Sequence, residues 1–422
     1  MKRTYYFITL FMLILSAKAS VISSSEISWF VFELILLSIA LKKKLFTYKT
    51  IRALFVFAVL FIVFIIFRNL FNKLTSTYLV SDLFFLAKFI FSVFLYGTVM
   101  REKAIPYIVK VVSHLAIISL IFYPIQLADS KLVNDIGKIF DLVGLGTHNV
   151  SGGYNNYLFF TVYDNHITRN CGFSWEPGAF ACILSLTLIF ALLRDNFKFN
   201  KQTYIISAAL ITTISTTGYI MLLIIVVLKV LNSSKNKARF VYIIPVVLVM
   251  LVIFLNSPVL YTKIVSAYNT DINNSSNYDD LQNYYSQDNK TIPLNRFASV
   301  IQIVLAFKYK LVLGVSNKYD EILAKQYNFN ISNGIADFFA KFGLIGFIFY
   351  LRNYMRFVKA YTTSRFNLFV ISVLFVVIYF GEPMLSMPLF LFFAVYPFFW
   401  TPVANLKKQI AAPVHYPDVV NN

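Results

Sequence analysis

Long apolar runs separated by short polar segments form the main pattern of this chain. A helix that crosses a bilayer needs about 20 mostly apolar residues, and runs of this kind recur along the whole sequence. They predict an all-α polytopic integral membrane protein with about twelve transmembrane helices. The predicted spans are 4–22, 27–41, 51–67, 79–99, 105–126, 177–193, 203–215, 218–231, 240–256, 335–351, 366–382 and 386–402.

Two of these spans, 203–215 and 218–231, are short and share a turn, so they form either a hairpin or one kinked helix. The basic loops favour the hairpin. With the N-terminus in the cytoplasm, the hairpin leaves every basic loop on the cytoplasmic side, as the positive-inside rule requires. The basic residues of these loops are Lys42, Lys43, Lys44, Lys49, Arg101, Lys103, Arg194, Lys198, Lys201, Lys235, Lys237, Arg239, Arg352, Arg356, Lys359, Arg365, Lys407 and Lys408.

This arrangement predicts a single transmembrane domain over residues 1–403 and a short cytoplasmic tail over 404–422, with both termini in the cytoplasm. The first apolar run imitates a signal peptide because it follows Lys2 and Arg3. Lys18 fits poorly into a small-residue cleavage site, so we expect this run to stay as the first helix.

Two long segments then fall on the outer face, at about 127–175 and 257–334. In the first, residues 157–163 have strand-like content. In the second, a polar stretch at 273–280 precedes a helix-like run at 296–308, which we interpret as interfacial or re-entrant and which stops at Leu313-Gly314. Loops of this length are usually functional or disordered, so we expect the chemistry on the outer face.

Composition narrows the classes of function. The chain is 58% hydrophobic and only 14% charged, which excludes a soluble domain of this size. Its formal net charge of +19 is explained by the orienting loops, so no nucleic-acid partner is expected. Two cysteines and four scattered histidines indicate neither a disulfide framework nor a metal site. No cofactor is expected.

The segment from Arg169 to Ala181 is the strongest candidate for chemistry. Arg169 is a permanent cation whose planar fork suits phosphate oxygens. Glu176 precedes a Pro-Gly pair that can begin a helix, and a carboxylate there can be tuned for proton transfer. A simple Arg–Glu bridge that fixes the loop explains the pair equally well.

Several polar groups lie near the same outer surface. Arg296 begins the helix of the second loop, where an ordinary interfacial arginine is the competing explanation. The hydroxyl-rich turn at 215–219 can present N–H groups to an anion or simply close a hairpin. Glu382-Pro383 marks the outer end of a span and could face the same vestibule. Within the spans, a Glu33–Lys88 pair would be either functional or structural.

The motif Arg-x-x-Gly-x-x-x-Glu-Pro-Gly-x-Phe-Ala at 169–181 resembles that of bacterial O-antigen and capsular polysaccharide polymerases, relatives of the O-antigen ligases. The Ser-Thr-Thr-Gly-Tyr turn is similar as well. So is the Arg-led helix ending in Leu-Gly, followed by Ser-Asn-Gly and Gly343-Leu-Ile-Gly346. The resemblance covers about 165–350, whereas the N-terminal spans match only in hydropathy.

The resemblance implies a C-type glycosyltransferase-like architecture in the bacterial inner (cytoplasmic) membrane. It implies polymerisation of undecaprenyl-diphosphate-linked oligosaccharide repeats into O-antigen, capsular or exopolysaccharide, with a chain-length regulator and a flippase as further partners. The ligase subgroup has a His before the late span, where this chain has Ser332-Asn333, which favours a polymerase. A ligase and, from another class, a lipid-linked oligosaccharide flippase are the alternatives. Two long outer loops and the lack of an internal repeat count against the flippase.

On this basis each candidate residue has an expected role. Arg169 and Arg296 would grip the diphosphate while Glu176 activates the acceptor hydroxyl, with no metal required. Tyr157 and Tyr163 would stack sugars, although tyrosine is also common at membrane interfaces. The other expected substrate-binding residues are Ser215, Thr216, Thr217, Tyr219 and Asn333.

Overall fold

The computed structural model describes residues 2–149, 153–163, 167–233, 292–294, 296–326 and 329–399. It is mostly helical, as the hydropathy pattern predicts. The helices in the first part of the chain are α1 (Lys2–Ser16), α2 (Val21–Ser24), α3 (Glu26–Lys42), α4 (Tyr48–Asn72), α5 (Ser76–Phe85), α6 (Phe91–Met100), α7 (Ala104–Ala128) and α8 (Ser130–Leu142). Those that follow are α9 (Pro177–Arg194), α10 (Lys201–Thr212), α11 (Thr216–Ser233), α12 (Arg296–Phe307), α13 (Tyr319–Gln326), α14 (Gly334–Lys359), α15 (Arg365–Gly381) and α16 (Pro388–Phe399).

Helices lie over all the predicted spans except 240–256, which falls outside the described residues. Four helical segments of the described chain are long and apolar enough to cross a membrane by themselves: Tyr48–Asn72, Ser76–Ala128, Pro177–Arg194 and Gly334–Lys359. The total of about twelve spans therefore stays a prediction. The predicted hairpin at 203–231 is present as α10 and α11, which are separated by a short turn.

The bundle has a basic end. Arg101 donates a hydrogen bond to the carbonyl of Leu45, and the charges of Arg101 and Arg194 act on Tyr396 and Tyr361 respectively. The loops after α3, α6, α9 and α14 therefore meet at this end. We call the opposite end, where α4, α7, α10 and α15 finish, the loop end.

The first predicted outer segment folds at the loop end into α8 and a three-stranded antiparallel sheet. Its strands are β1 (Thr147–Asn149), β2 (Tyr154–Asn156) and β3 (Thr161–Tyr163), in the order β1-β2-β3. The strand-like interpretation of 157–163 holds only for its last three residues. Leu158 has a left-handed φ of 64°, and the N–H of Tyr157 bonds to the carbonyl of Phe160, so the preceding residues form a turn.

Helix α14 is broken at Gly343, its tenth residue. Gly343 has φ 68° and ψ −173°, and Gly314, with φ 76°, packs against it so closely that a Cβ on Gly314 would lie 2.5 Å from the backbone nitrogen of Gly343. Only glycine tolerates both this conformation and this approach. This crossing of Gly314 and Gly343 joins α14 to the segment that follows α12, which begins with a 3-10 turn at Lys308–Val312.

A Lys88–Glu33 pair does not form as the primary contact. The Nζ of Lys88 lies 2.6 Å from Oε1 of Glu26, while Glu33 accepts a hydrogen bond from Ser92 at 2.8 Å. A π-helical turn at Leu86–Ile90 carries Lys88. Lys88 therefore contacts a residue that lies about two turns of α3 before the expected partner.

An apolar cavity of about 280 Å³ lies between α4, α5, α14 and α16. Phe61, Phe85, Phe338 and Phe342 are among its lining residues, and Ile345 lies at its exposed rim. Phe338 follows Gly334 by about one helical turn. The cavity thus begins close to the loop end and runs into the apolar part of the bundle.

Candidate functional site

An ion pair between Arg296 and Glu382 forms the centre of the candidate site. Nη2 of Arg296 lies 2.6 Å from Oε1 of Glu382, and Nη1 donates to the hydroxyl of Thr217 at 3.2 Å. The Glu382 side chain is only 5% exposed, whereas that of Arg296 is 36% exposed. The pair brings together the beginnings of α11 and α12 and the end of α15, so residues remote in the chain meet at the loop end.

Glu176 lies against Glu382, and their carboxyl groups share a hydrogen bond. Burial raises the pKa of Glu382 well above its usual range, and the charge and hydrogen bond of Glu176 raise it further, against the opposing effect of Arg296. Two carboxyl groups in direct contact must hold a proton between them. Glu382 therefore lies between Glu176 and the guanidinium of Arg296, and it contacts both groups.

Arg169 lies in the loop before α9, and two hydrogen bonds hold it in place. Its Nε donates to the carbonyl of Thr213 at 3.2 Å, and its own carbonyl accepts from Gln126 at 3.2 Å. Its charge acts on both Glu176 and Glu382, and Arg296 is close enough to oppose it. Two guanidinium groups and two carboxyl groups therefore share one region of the loop end.

Gly178 allows this close packing. A Cβ at this position would overlap Oε1 of Glu382, and would lie 3.1 Å from its carboxyl carbon and 3.5 Å from Nη2 of Arg296. Pro177 sets the first turn of α9, for which Glu176 is the N-cap residue. The Glu-Pro-Gly sequence thus directs Glu176 into the cluster and leaves room for a second carboxyl group beside it.

The other predicted binding residues separate into two groups. Thr217 contacts Arg296 and so belongs to the cluster. Ser215 accepts the N–H of Gly218 at 3.4 Å, Thr216 begins α11, and the hydroxyl of Tyr219 donates to Ile211 at 3.0 Å. These contacts stabilise the α10–α11 hairpin.

Asn333 is used inside the protein. Its Oδ1 accepts the N–H groups of Ile335 and Ala336, both at 2.9 Å, and its Nδ2 donates to the carbonyl of Arg296 at 3.2 Å. Asn333 thereby caps α14 and ties it to the first residue of α12. Its contribution to the site is to hold Arg296 in place.

Tyr157 and Tyr163 lie in the α8–sheet layer rather than beside Arg296. Tyr157 is buried, its ring packs over Gly137, and its hydroxyl donates to Asn134 at 2.9 Å. Tyr163 pairs with Tyr154 across β2 and β3. Sugar stacking by these two residues stays a prediction.

Glu382 is the main residue of the candidate site that lies outside the sequence motif at 169–181. It lies more than 200 residues after Glu176. In the sequence, only its place before Pro383, at the end of a span, indicates that it lies near the outer surface. Among the described residues, no group of three or more His, Cys, Asp or Glu side chains could hold a metal ion.

Comparison with known families bears on the part of the chain that supplies Thr217, Arg296 and Asn333. Residues 203–351 match the O-antigen ligase family model. The resemblance to the O-antigen ligase superfamily is thus confirmed over this segment. No curated protein and no solved structure matches the chain.

The O-antigen ligase segment indicates a role in O-antigen-type polysaccharide biosynthesis in the membrane, and it does not separate polymerases from ligases. Arg169 and Glu176 precede this segment, and Glu382 follows it. The candidate site is therefore built from the O-antigen ligase segment together with the helices on both sides of it.

Proposed function

We propose that the protein is a glycosyltransferase that polymerises undecaprenyl-diphosphate-linked oligosaccharide repeats at the outer face of the bacterial inner membrane. The observation that carries the proposal is the cluster of Arg169, Arg296, Glu176 and Glu382 at the loop end. Cytoplasmic loops are the basic ones in membrane proteins. Since the cluster lies opposite the basic end, this rule supports an outward-facing site.

The charges of the cluster suit a diphosphate leaving group. The acceptor hydroxyl oxygen bonds to the anomeric carbon as the bond from that carbon to the diphosphate oxygen breaks, and the bonding pair stays with the diphosphate. Arg169 and Arg296 neutralise the charge that develops there, in a partly buried setting where such stabilisation is strong. The side chain of Arg296 is 36% exposed, so its charge can reach the substrate.

Glu176 is the proposed base. One of its oxygens bonds to the carboxyl group of Glu382, which holds the side chain in place, and the other takes the proton of the acceptor hydroxyl. A single displacement of this kind inverts the anomeric carbon.

The apolar cavity supports a lipid-linked substrate. It is lined by aromatic and aliphatic side chains and begins near the first turn of α14, so we assign it to the hydrocarbon chain of the carrier. The polymerase is favoured over the ligase because Ser332-Asn333 occupy the place where the resembling ligases have a histidine. Both side chains are used inside the protein: Ser332 donates to the carbonyl of Leu294 at 2.8 Å, and Asn333 caps α14.

The test is analysis of surface polysaccharide and lipid-linked precursors in cells that carry Arg296→Ala, Arg169→Ala or Glu176→Gln. We expect long chains to disappear while single repeats on the lipid carrier accumulate at the outer face. Accumulation of full-length polymer on the carrier would identify a ligase. Single repeats trapped at the inner face would identify a flippase. Normal chain lengths in both arginine variants would refute the diphosphate role.

A further inference from the structure

A buried ion pair joins α4 and α5 to the turn that follows α12. Arg68 is fully buried and donates to the carboxylate of Asp82 and, at 2.5 Å, to the carbonyl of Lys341. The same carboxylate accepts the backbone N–H of Asn317 at 2.8 Å. Removing charged groups from water is costly, so a pair at this depth needs a structural or functional reason.

The turn is held from other directions as well. Nδ2 of Asn72 donates to the carbonyl of Gly314 at 2.8 Å, and the N–H of Val315 donates to the carbonyl of Ala340 at 2.6 Å. With the Gly314–Gly343 crossing, residues 313–317 contact α4, α5 and α14 at once. We call residues 313–317 the anchor turn.

The break in α14 explains why a guanidinium is needed. The non-helical conformation of Gly343 interrupts the hydrogen-bond ladder, so carbonyls just before it lose their helical partners. A buried carbonyl without a partner is costly, above all away from water. The carbonyl of Ala340 bonds to the anchor turn and that of Lys341 bonds to Arg68, which makes the break stable only while both contacts persist.

We propose that Arg68 and Asp82 are positioning residues that hold the anchor turn, and through it α12, where Arg296 reaches Glu382. Helix α12 begins at Arg296 and continues through the 3-10 turn into the anchor turn. A helix of 12 residues is about 18 Å long, so a tilt of about 3° about the C-terminal end of α12 moves Arg296 by about 1 Å. That this displacement matters for catalysis rests on the proposed function, whereas the placement of α12 does not.

The test uses two variants and a matched control. Arg68→Met combined with Asp82→Asn removes both charges and keeps an oxygen for the N–H of Asn317. Gly314→Ala disturbs the same turn with no change of charge, because its Cβ would meet the backbone of α14. Glu26→Gln combined with Lys88→Met removes another ion pair, between α3 and the π-helical turn that follows α5, without touching the anchor turn.

Pulsed electron–electron double resonance between spin labels measures the placement of α12. Cysteines at Val304 on α12 and Ile348 on α14, 52% and 55% exposed, form the test pair, and Ile348 with Phe369 on α15 forms the reference pair. The native Cys171 and Cys182 are buried, so labelling is directed to the introduced sites. Polymer length in cells is measured for the same substitutions without labels.

We expect both anchor-turn variants to shift or broaden the test distance while the reference distance is unchanged, with polymer output reduced about 100-fold. The control pair should leave the distances and the polymer as in the wild type. An unchanged test distance, or equal changes in both distances, overturns the positioning role. A shifted test distance with normal polymer overturns it too, provided that Arg296→Ala abolishes polymer. If Arg296→Ala leaves polymer intact, the proposed function fails and the distances alone decide the placement of α12.

Discussion

The substitution Gly178→Ala tests the close packing of the carboxyl pair with a single methyl group. The new Cβ would overlap Oε1 of Glu382 and lie 3.1 Å from its carboxyl carbon. Ordinary contact between such atoms is about 3.5–4.0 Å, so the carboxyl group must retreat by about 1 Å. Oε1 is the atom that Arg296 holds at 2.6 Å, so this retreat breaks or bends the ion pair.

The magnitude follows from the geometry. Displacing a catalytic group by about 1 Å can cost about 100-fold in rate, equivalent to about 2.7 kcal/mol of transition-state stabilisation. Overpacking costs about 1–3 kcal/mol of stability. We expect this loss of stability to reduce the amount of protein less than the displaced carboxyl group reduces turnover. We therefore expect short or absent polymer from a protein that still accumulates in the membrane.

The assay compares polysaccharide length, lipid-linked single repeats and the level of tagged protein in the same cells. Gly146→Ala is the matched control, because its Cβ would overlap Oδ1 of Asp141 and lie 2.9 Å from the carboxyl carbon of Asp141, in the loop after α8. This variant receives a similar steric insult and should retain long chains. Wild-type polymer from Gly178→Ala would refute the argument, and so would equal losses in the two variants at equal protein levels.

Three further outcomes follow from the site and the cavity. Glu382→Gln should gain stability relative to the wild type as the pH rises above about 4.5, the ordinary pKa of the group. The reason is that the raised pKa of Glu382 makes the folded wild type bind a proton more strongly than the unfolded chain does. Thermal unfolding in detergent at about pH 5 and about pH 8 measures this difference, and a difference in stability that is the same at both pH values would contradict it. Arg169→Lys should shorten chains, since a point charge replaces a planar fork; polymer of full length would show that charge alone suffices. Ile345→Trp at the cavity rim should lower the yield of polymer, whereas Ile348→Trp, at a similarly exposed position on α14 that does not line the cavity, should not. Equal yields from the two variants would show that the cavity is not used in the reaction.

Hydropathy was sufficient to predict the class of fold and most helices, because burial in lipid imposes a long apolar run on every span. It also located the 203–231 hairpin, since the sidedness of the basic loops depends on it. The break at Gly343 was not predictable from these signals. It depends on a contact with Gly314, and neither glycine marks its partner in the sequence.

The candidate site shows the same division. Arg169, Glu176 and Arg296 were selected because charged residues beside apolar helices are conspicuous. The role of Asn333 as a cap and the burial of Tyr157 under α8 depend on tertiary packing that their residue types do not reveal. The sequence does not mark Arg68 and Asp82 as buried, because each lies at the edge of an apolar run, where a charged residue ordinarily extends to the interface.

The beginnings of α9, α11, α12 and α14 all lie around the arginines of the site, and each helix start carries roughly half a positive charge. The diphosphate released by glycosyl transfer bears more negative charge than the ester from which it came. The spent carrier should thus bind more tightly than the incoming donor. Under the proposed function, turnover would be governed by the departure of the carrier, and added undecaprenyl diphosphate should act as a product inhibitor.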